Sequence, residues 1–195
     1  MGICQGLNAK HRDTATVRIA GFIRQRILMP TLNTLTLDDL KVVLAVQSAC
    51  YAPFFHESAA AFRAKLEASP DTHWLCRREG TALGYLVTLP VAEGKLPALD
   101  ADAVATVDTP EWLYVHDLAV LPEARLLGLG KRFMAEAERV AREKGLRGLA
   151  LVAVEAAEGY WANLGFQPVK TVSVELAAKL ASFGEGAVYM EKWLG

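Results

Sequence analysis

The chain has 195 residues, of which 52% are hydrophobic and 22% charged, and its formal net charge is −1. This composition suits one packed domain, and the near-zero charge argues against nucleic-acid binding along the chain. No apolar run reaches the roughly 20 residues of a membrane-spanning helix, so we expect no membrane partner. The cysteines, Cys4, Cys50 and Cys76, are odd in number and widely spaced. That pattern is typical of free thiols in a reducing compartment and predicts a cytoplasmic location.

The first 30 residues differ from the rest because their five lysines and arginines are accompanied by a single acid, Asp13. Apolar residues recur there at roughly helical spacing, so a basic amphipathic helix or a transit peptide is an alternative to a tail. We predict a loosely attached basic extension over 1–30 and a single domain over 31–195. Met29, directly before Pro30, is our hypothesis for an alternative start.

The next segment predicts a strand, two helices and a hairpin. Thr31–Thr36 alternates apolar and polar residues, as strands do. Thr36 then begins a helix, with Asp39 in the capping-box position, and a second helix ends at Pro70. The other predicted elements of this half are an aromatic loop over Tyr51–His56, strands over His73–Arg78 and Leu83–Pro90 with a turn at Glu79-Gly80, and a loop over Glu93–Thr109.

The C-terminal half continues as an alternation of strands and helices. A strand over Trp112–Leu121 stops at Pro122, and a helix over Gly128–Lys144 has Gly145 at its C-cap. Leu149–Val154 is apolar on both faces, as buried parallel strands are. The remaining predicted elements are a short helix over Ala156–Leu164 and strands over Phe166–Leu176 and Ala187–Trp193. The order βααβββαβαββ predicts a mixed α/β sheet.

The stretch Arg125-Leu-Leu-Gly-Leu-Gly130 joins the strand that ends before Pro122 to the following helix. Glycines allow a ligand to approach the backbone closely, and the unpaired N–H groups of a helix N-terminus suit an anionic phosphate. A P-loop is excluded because Arg125 stands where its first glycine would be. A dinucleotide fingerprint is excluded because Phe133 occupies the place of its third small residue.

Two motifs together resemble the GNAT family of N-acetyltransferases. Leu113–Val120 followed by Arg125-x-x-Gly-x-Gly130 is similar to the acetyl-CoA motif of that family, and Tyr160-Trp-Ala-Asn-Leu-Gly-Phe166 to its second signature. The resemblance spans Thr31 to Trp193. It implies an α/β fold with a mixed, mostly antiparallel central sheet, flanked by helices and splayed at the acetyl-CoA-binding strand.

The resemblance also implies acetyl-CoA as the co-substrate and assigns residues to it. The pantetheine arm would pair with the backbone of Leu118, Ala119 and Val120 like an added strand. A bulge in this strand of the family aims one N–H at the thioester carbonyl, and Val120 is the predicted donor for that oxyanion. The remaining residues expected to bind the co-substrate are Arg125, Leu126, Leu127, Gly128, Leu129, Gly130, Lys131 and Trp161.

The incoming amine must lose a proton before it attacks, so the site needs a base. The candidates on the central strand are His116, Asp117 and Glu111. Strand alternation predicts that Tyr114 and His116 share one face, and that Asp117 lies on the other. His116 resembles a catalytic histidine of arylalkylamine N-acetyltransferases and can accept a proton at neutral pH. We predict that it is the base, with a structural histidine bonded within the core as the alternative.

The acid that protonates the departing thiolate is less well defined by the sequence. Trp161 stands where the family often has a tyrosine, and Trp161 cannot donate an acidic proton. We predict Tyr160, one residue earlier, as the catalytic acid; Tyr114 or unaided departure of the thiolate are the alternatives. The histidines are dispersed and no cysteine pair has metal-ligand spacing, so no metal is expected.

The predicted reaction transfers the acetyl group to a small-molecule primary amine by direct attack on the thioester. The alternatives are a protein or peptide acetyltransferase and a catalytically silent acyl-CoA-binding sensor. Phe54, Phe55 and His56 could form an apolar slot for the acceptor, and the acidic stretch Asp100–Glu111 could attract a cationic amine. Many family members pair through their last strands, so the resemblance suggests a homodimer without establishing one.

Overall fold

The computed structural model describes residues 29–154 and 157–195. The predictions for the basic extension before Met29 lie outside these residues. A single seven-stranded sheet has the order β1-β2-β3-β4-β5-β7-β6, and β4 with β5 is its parallel pair among antiparallel neighbours. The strands are β1 Thr31–Thr34, β2 His73–Arg78, β3 Thr81–Val91, β4 Trp112–Val120, β5 Gly148–Ala153, β6 Gln167–Pro168 and β7 Val188–Trp193.

Helices cover the sheet. The α-helices are α1 Leu40–Cys50, α2 Ala59–Ala68, α3 Leu129–Glu143, α4 Glu158–Ala162 and α5 Val174–Ala181. Short 3-10 turns precede α1 and α3 and lie between α1 and α2, at Leu37–Asp39, Pro122–Leu127 and Pro53–Phe55. Within the described ranges, no helix combines the length and the apolar character needed to cross a bilayer.

The two faces of the sheet bury separate apolar clusters. On one face, α3 packs Phe133, Ala137 and Ala141 with Leu113 and Leu149 of the central strands. On the other face, α1 and α2 cover the sheet, and the rings of Phe62 and Tyr85 meet edge to face at 5.8 Å between centroids. The central strand β4 is thus held from both sides by burial of apolar area.

The predicted fold class is confirmed, as is most of the predicted element order. Thr36 and Asp39 form the predicted capping box, with the Thr36 N–H donating to Asp39 Oδ2 at 3.0 Å. Glu79 and Gly80 form the predicted hairpin turn with φ of 52° and 80°, as a two-residue turn that follows the strand twist requires.

The strand predicted over Phe166–Leu176 is wrong beyond Pro168. The alternation of Val172, Val174 and Leu176 imitates a strand, but the chain forms α5 from Val174 onward. Ser173 caps this helix, because its hydroxyl accepts the Leu176 N–H at 3.1 Å. Leu176 is buried against the sheet, so tertiary packing and the cap together outweigh the local alternation.

Candidate active site

The central strand β4 has one neighbour along its whole length and loses the other halfway. It pairs with β3 from Trp112 to Val120, but with β5 only from Trp112 to Val115. The Leu121 N–H donates to Leu83 O on β3 at 2.9 Å. Because backbone directions alternate along a strand, Leu118 and Val120 turn their N–H and C=O groups away from β3 and into the gap. An extended ligand could pair with this edge as an additional strand.

A β-bulge at His116 marks the point where the two strands separate. Val87 pairs with Asp117 and Thr88 with Val115, which leaves His116 as the extra residue on β4. A bulge re-aims the side chains that follow it. The prediction that His116 and Asp117 lie on opposite faces is therefore wrong, because both side chains reach the segment between α1 and α2.

The gap between β4 and β5 holds a cavity of about 480 Å³. One part of its wall comes from the α3 side of the molecule, where Arg125, Gly130, Tyr160 and Trp161 line it. The other part comes from the loops around His116. The lining residues there include Tyr51, Phe55, Glu57, Leu99, Tyr114, His116 and Phe183.

The glycine-rich loop forms one end of the cavity. The 3-10 turn Pro122–Leu127 leads into Gly128, whose φ of 68° is left-handed, and α3 begins at Leu129. The first N–H groups of α3 have no partner within the helix itself, and the helix dipole makes this end attractive to anions. A Cβ at Gly130 would collide with the Tyr160 hydroxyl, so the glycine lets Tyr160 lie directly over the first turn of α3.

Trp161 is anchored next to this turn by other aromatic rings. Its ring packs edge to face on Tyr160 at 5.1 Å and on Phe166 at 5.6 Å between centroids. Trp161 also lines the cavity. Tyr160 and Trp161, the aromatic pair of the second motif, therefore line the cavity together with Arg125 and Gly130 of the glycine-rich loop.

His116 is held by a carboxylate that the sequence interpretation missed. Its Nε2 lies 2.9 Å from Glu57 Oε2. A carboxylate can only accept, so Nε2 carries the hydrogen and the neutral ring keeps its lone pair on Nδ1. Nδ1 is buried and has no hydrogen-bond partner among residues 29–154 and 157–195. His116 lines the cavity, and Nδ1 is its ring nitrogen without an assigned partner among these residues.

Glu57 is itself fixed by buried donors. Oε1 accepts from Lys65 Nζ at 2.9 Å and from the Asp100 N–H at 2.8 Å, and the side chains of Glu57 and Lys65 are 2% and 0% exposed. Burial alone would raise the pKa of Glu57, but His116 and Lys65 outweigh it and lower that pKa to about 2. Glu57 is therefore ionised throughout the physiological range.

Asp117 lies next to His116 in a different environment. Tyr51 Oη is 2.8 Å from Asp117 Oδ1 and 2.7 Å from the carbonyl oxygen of Leu118. Tyr85 Oη is 2.5 Å from Asp117 Oδ2. Burial raises the pKa of Asp117, and the nearby charge of Glu57 adds to the rise, while Tyr85, Tyr51 and His116 act against it. The two tyrosines offer hydroxyl groups but no positive charge.

The structure gathers most of the predicted site residues around one cavity. Those that line it are His116, Leu118, Ala119, Val120, Arg125, Gly130, Tyr160 and Trp161. Leu126 and Lys131 point their side chains to solvent, Leu126 completely so. Leu129 is buried in the core.

Other candidates lie elsewhere or have structural partners. Glu111, one of the possible bases, pairs with Arg147 at 2.6 Å and is not part of the cavity wall. Of the proposed apolar slot, Phe55 lines the cavity, Phe54 is 63% exposed, and His56 Nε2 lies 2.9 Å from Tyr51 O.

Glu57, Tyr51 and Tyr85 carry site contacts that the sequence did not reveal as such. Glu57 and His116 are 59 positions apart, and no local pattern links them. Tyr85 is buried as expected of a core residue, yet its hydroxyl bonds Asp117. In the described parts of the chain, no group of three or more His, Cys, Asp or Glu side chains could hold a metal ion.

Comparison with known families agrees with this architecture. The profile of the Acetyltransferase (GNAT) family matches residues 40–166. The chain belongs to the GNAT acetyltransferase family. Membership classifies it as an acyltransferase and accounts for the splayed strand followed by a glycine-rich loop. No curated protein matches the chain by sequence.

Solved structures of the same fold resemble the chain at low sequence identity. GphF, a GNAT-like decarboxylase in complex with isobutyryl-CoA, superposes with a TM-score of 0.67 at 15% identity, over 85% of this chain and 100% of that one. The ribosomal-protein-S18-alanine N-acetyltransferase from Escherichia coli has a TM-score of 0.60 at 16% identity, over 86% and 95%. PaiA N-acetyltransferase from Thermoplasma acidophilum, in complex with coenzyme A, has a TM-score of 0.59 at 15% identity, over 85% of this chain and 99% of that one. These similarities establish the fold.

Proposed function

We propose that this protein transfers the acetyl group of acetyl-CoA to a small primary amine, with His116 as the base. The observation that carries the proposal is that one cavity is lined by the unpaired edge of β4, the start of α3 and His116, whose Nδ1 has no hydrogen-bond partner among the described residues. A thioester bound along that edge would bring its carbonyl within reach of an amine held by His116.

The co-substrate is expected to bind through backbone groups. The outward N–H and C=O groups of Val120, next to Ala119, pair with the pantetheine arm, whereas the outward C=O of Leu118 already accepts from Tyr51 at 2.7 Å. The N–H groups from Arg125 to Lys131 and the positive end of α3 bind the pyrophosphate. Arg125 adds a positive charge at the cavity wall.

The position of the bulge favours Leu118 over Val120 as the oxyanion donor. A strand advances about 3.3 Å per residue, so Val120 lies about 13 Å along β4 from His116, whereas Leu118 lies about half as far. The base and the oxyanion donor must both approach one reacting carbon. Such a donor typically lowers the barrier by about 3–4 kcal/mol.

The environment of His116 explains how the amine becomes nucleophilic. The ionised Glu57 holds the Nε2 hydrogen, so Nδ1 is free to take the proton that the ammonium must lose before it attacks. When His116 takes that proton, it becomes an imidazolium beside Glu57. The carboxylate of Glu57 stabilises this positive charge, as the aspartate of a Ser-His-Asp triad does.

The walls around His116 favour a small amine with an apolar substituent. Phe55, Leu99 and Phe183 line that part of the cavity, and Glu57 is neutralised by Lys65. Asp117 also lines the cavity and is bonded by Tyr51 and Tyr85. An apolar wall whose carboxyl groups have internal partners suits a compact apolar group better than a charged peptide. The E. coli structural neighbour acts on the alanine of a ribosomal protein, so peptides belong in the test panel.

Calorimetric titration of acetyl-CoA tests the proposal, comparing wild type with the double variant Gly128→Glu, Gly130→Glu. Two carboxylates at the start of α3 repel phosphate, and the larger side chain at Gly130 collides with Tyr160. We expect micromolar binding by the wild type that the double variant abolishes. Val174→Glu, a charge at an exposed site on α5, is the control and should bind normally.

A thiol-release assay with amines and peptides then tests turnover. Release with apolar primary amines, reduced at least 100-fold in His116→Ala, supports the proposal. Binding of acetyl-CoA without turnover on any acceptor would replace it with an acyl-CoA sensor, and turnover restricted to peptides would move the acceptor to that class. Absence of binding would refute it.

A further inference from the structure

Three short oxygen–oxygen contacts surround Asp117 and its neighbours. Tyr85 Oη lies 2.5 Å from Asp117 Oδ2, Tyr51 Oη lies 2.8 Å from Oδ1, and Tyr51 Oη lies 2.7 Å from Leu118 O. Each such contact needs a hydrogen between its oxygens. The two tyrosine hydroxyl groups supply two hydrogens, and a carbonyl supplies none. A hydrogen on the carboxyl group of Asp117 supplies the third, whereas an ionised Asp117 leaves the single hydrogen of Tyr51 shared between two acceptors.

We propose that Asp117 is a neutral carboxylic acid and that, through Tyr51, it supplies the proton taken by the departing thiolate of coenzyme A. The proposal rests on the proposed function for the reaction itself. The protonation of Asp117 can be tested without any substrate.

One arrangement of hydrogens satisfies all three contacts. Tyr85 donates to Asp117 Oδ2, the hydrogen on Asp117 Oδ1 is donated to Tyr51 Oη, and Tyr51 donates to the carbonyl of Leu118. With an ionised Asp117, Tyr51 would have one hydrogen for two acceptors, and one contact would place lone pairs against each other. An unmade hydrogen bond between buried groups costs about 1–3 kcal/mol.

The charged surroundings of Asp117 also favour the neutral form. The titratable groups that face it are Cys50 and Tyr51 at the end of α1, Glu57 before α2, Tyr85 on β3 and His116 on β4. None of these is a lysine or an arginine, and Glu57 is already ionised. Two negative charges close together in a buried site disfavour each other. His116 acts against the rise in the pKa of Asp117 but does not reverse it.

Tyr51 is placed where the leaving group would be. It lines the cavity, and its hydroxyl bonds the carbonyl of Leu118, the residue whose N–H is proposed to bind the oxyanion. The tyrosines that the sequence suggested are poorer candidates. Tyr160 lies over the first turn of α3, and Tyr114 lies on the part of β4 that is still paired with β5. Tyr51 thus takes the role that the sequence suggested for Tyr160.

The step balances in atoms and charge. An ammonium first gives one proton to water through His116 Nδ1, which leaves a neutral amine and a neutral imidazole. The amine nitrogen then forms its bond to the acetyl carbon, and the second proton that it loses passes to His116 Nδ1. The C–S bond then breaks and its electron pair goes to sulfur, which takes the hydrogen of Tyr51 Oη as that hydroxyl turns from Leu118 O. Tyr51 Oη takes the hydrogen of Asp117 Oδ1, and the carboxylate that remains accepts from Tyr85. After product release, His116 loses its proton to water and Asp117 regains one.

Asp117 makes Tyr51 a usable donor. Burial and the neighbouring Asp117 hold the pKa of Tyr51 well above its usual range, so a lone Tyr51 would resist becoming a phenolate. When a neutral Asp117 gives its proton to Tyr51, the negative charge ends on Asp117. The Tyr85 hydroxyl stabilises that charge by donating a hydrogen bond to Asp117 Oδ2. Asp117 is in this sense a positioning and relay residue, and Tyr51 the catalytic one.

The test compares Tyr51→Phe with two acyl donors, acetyl-CoA and its selenium analogue. A selenolate is a far weaker base than a thiolate and leaves without needing a proton. We expect Tyr51→Phe to lose at least about 100-fold in kcat with acetyl-CoA and less than tenfold with the selenoester, with an unchanged Kd for acetyl-CoA. Equal losses with both donors would show a structural role and overturn the proposal.

Tyr85→Phe is the matched control, because it removes a hydroxyl bonded to Asp117 that does not face the cavity. Its kcat should fall far less than that of Tyr51→Phe. Asp117→Asn preserves the hydrogen-bond pattern of a neutral acid, since the amide can donate to Tyr51 and accept from Tyr85. It should fold and bind acetyl-CoA normally but lose kcat with the thioester selectively.

Difference infrared spectroscopy of the protein without substrate tests the protonation directly. At pH 7 the wild type should show the C=O stretch of a protonated carboxyl group, and Asp117→Asn should lack it. Identical spectra in that region would overturn the proposal. This result is independent of acetyl-CoA binding, so failure of the proposed function and failure of this inference are distinguishable.

Discussion

Two buried carboxyl groups lie beside His116, and their pKa values shift in opposite directions. Glu57 receives a lysine ammonium, an imidazole N–H and a backbone N–H, and its pKa falls to about 2. Asp117 receives two tyrosine hydroxyl groups, and its pKa rises. The difference shows that the charge of the donors, rather than burial alone, decides which carboxyl group ionises.

Because of this difference, Glu57 and Asp117 can do different chemistry on the two sides of His116. A permanent carboxylate on one side orients the ring and supports a positive charge on it, whereas a neutral acid on the other side can give a proton away. Pairs of titratable groups whose environments separate their pKa values are how one site provides both a base and an acid at neutral pH.

The largest expected effect comes from removing the charge that keeps Glu57 ionised. Lys65→Met leaves a buried carboxylate without its ammonium partner, and breaking a buried pair typically costs about 3–5 kcal/mol. Urea denaturation should show this loss in the free energy of unfolding. Lys144→Met is the control, because the Lys144–Asp71 pair is largely exposed and should cost less than about 1 kcal/mol.

An unchanged stability of Lys65→Met would mean that Glu57 gains a proton at little cost, and the contrast with Asp117 would disappear. The double variant Lys65→Met, Glu57→Gln sharpens the point. It removes both charges and should recover part of the lost stability.

A smaller effect is expected from Glu57→Gln. An amide can either donate to His116 or accept from it, so the ring is no longer held with its lone pair on Nδ1. We expect kcat to fall about 10- to 100-fold, a part of what a positioned base contributes, with an unchanged Kd for acetyl-CoA. A loss confined to binding would show that Glu57 shapes the cavity and does not orient the base.

Glu57 also predicts a specific pH dependence of stability. Its pKa is lowered in the folded state, so its contribution is present above the unfolded value of 4.5 and is lost as the pH falls toward about 2. Thermal melts across this window should show a steeper acid loss for the wild type than for Glu57→Gln. Parallel curves would contradict the assignment.

The expected effect of Asp117→Asn on stability has the opposite sign. A group whose pKa is raised on folding contributes stability below its unfolded value of 3.8, and that stability is lost as the pH rises. Asp117→Asn has no group that loses stability in this way. The Tm of the variant should therefore rise above that of the wild type, and the difference should grow from pH 4 to pH 8. For a chain of this size each kcal/mol corresponds to about 2–4 °C. A variant that is less stable at high pH would mean that Asp117 is ionised.

Local patterns were sufficient for most of the fold. The capping box at Thr36, the turn at Glu79-Gly80 and the strand–glycine–helix order around Gly128 each depend on neighbours within a few residues, and each was predicted. The exception is α5, where alternating valines imitate a strand although Ser173 provides a helix cap. Here two local signals compete, and packing of Leu176 decides between them.

The amino-acid sequence alone determined the family, the glycine-rich loop, and His116 as a residue to consider, because these are contiguous motifs. The tertiary structure decided what surrounds His116. The bulge that turns His116 and Asp117 to the same side depends on pairing with β3, and Glu57 and Tyr51 reach β4 from positions 59 and 66 residues away in the chain. Protonation in a buried site follows from which charges pack together in space, and no spacing along a chain encodes that.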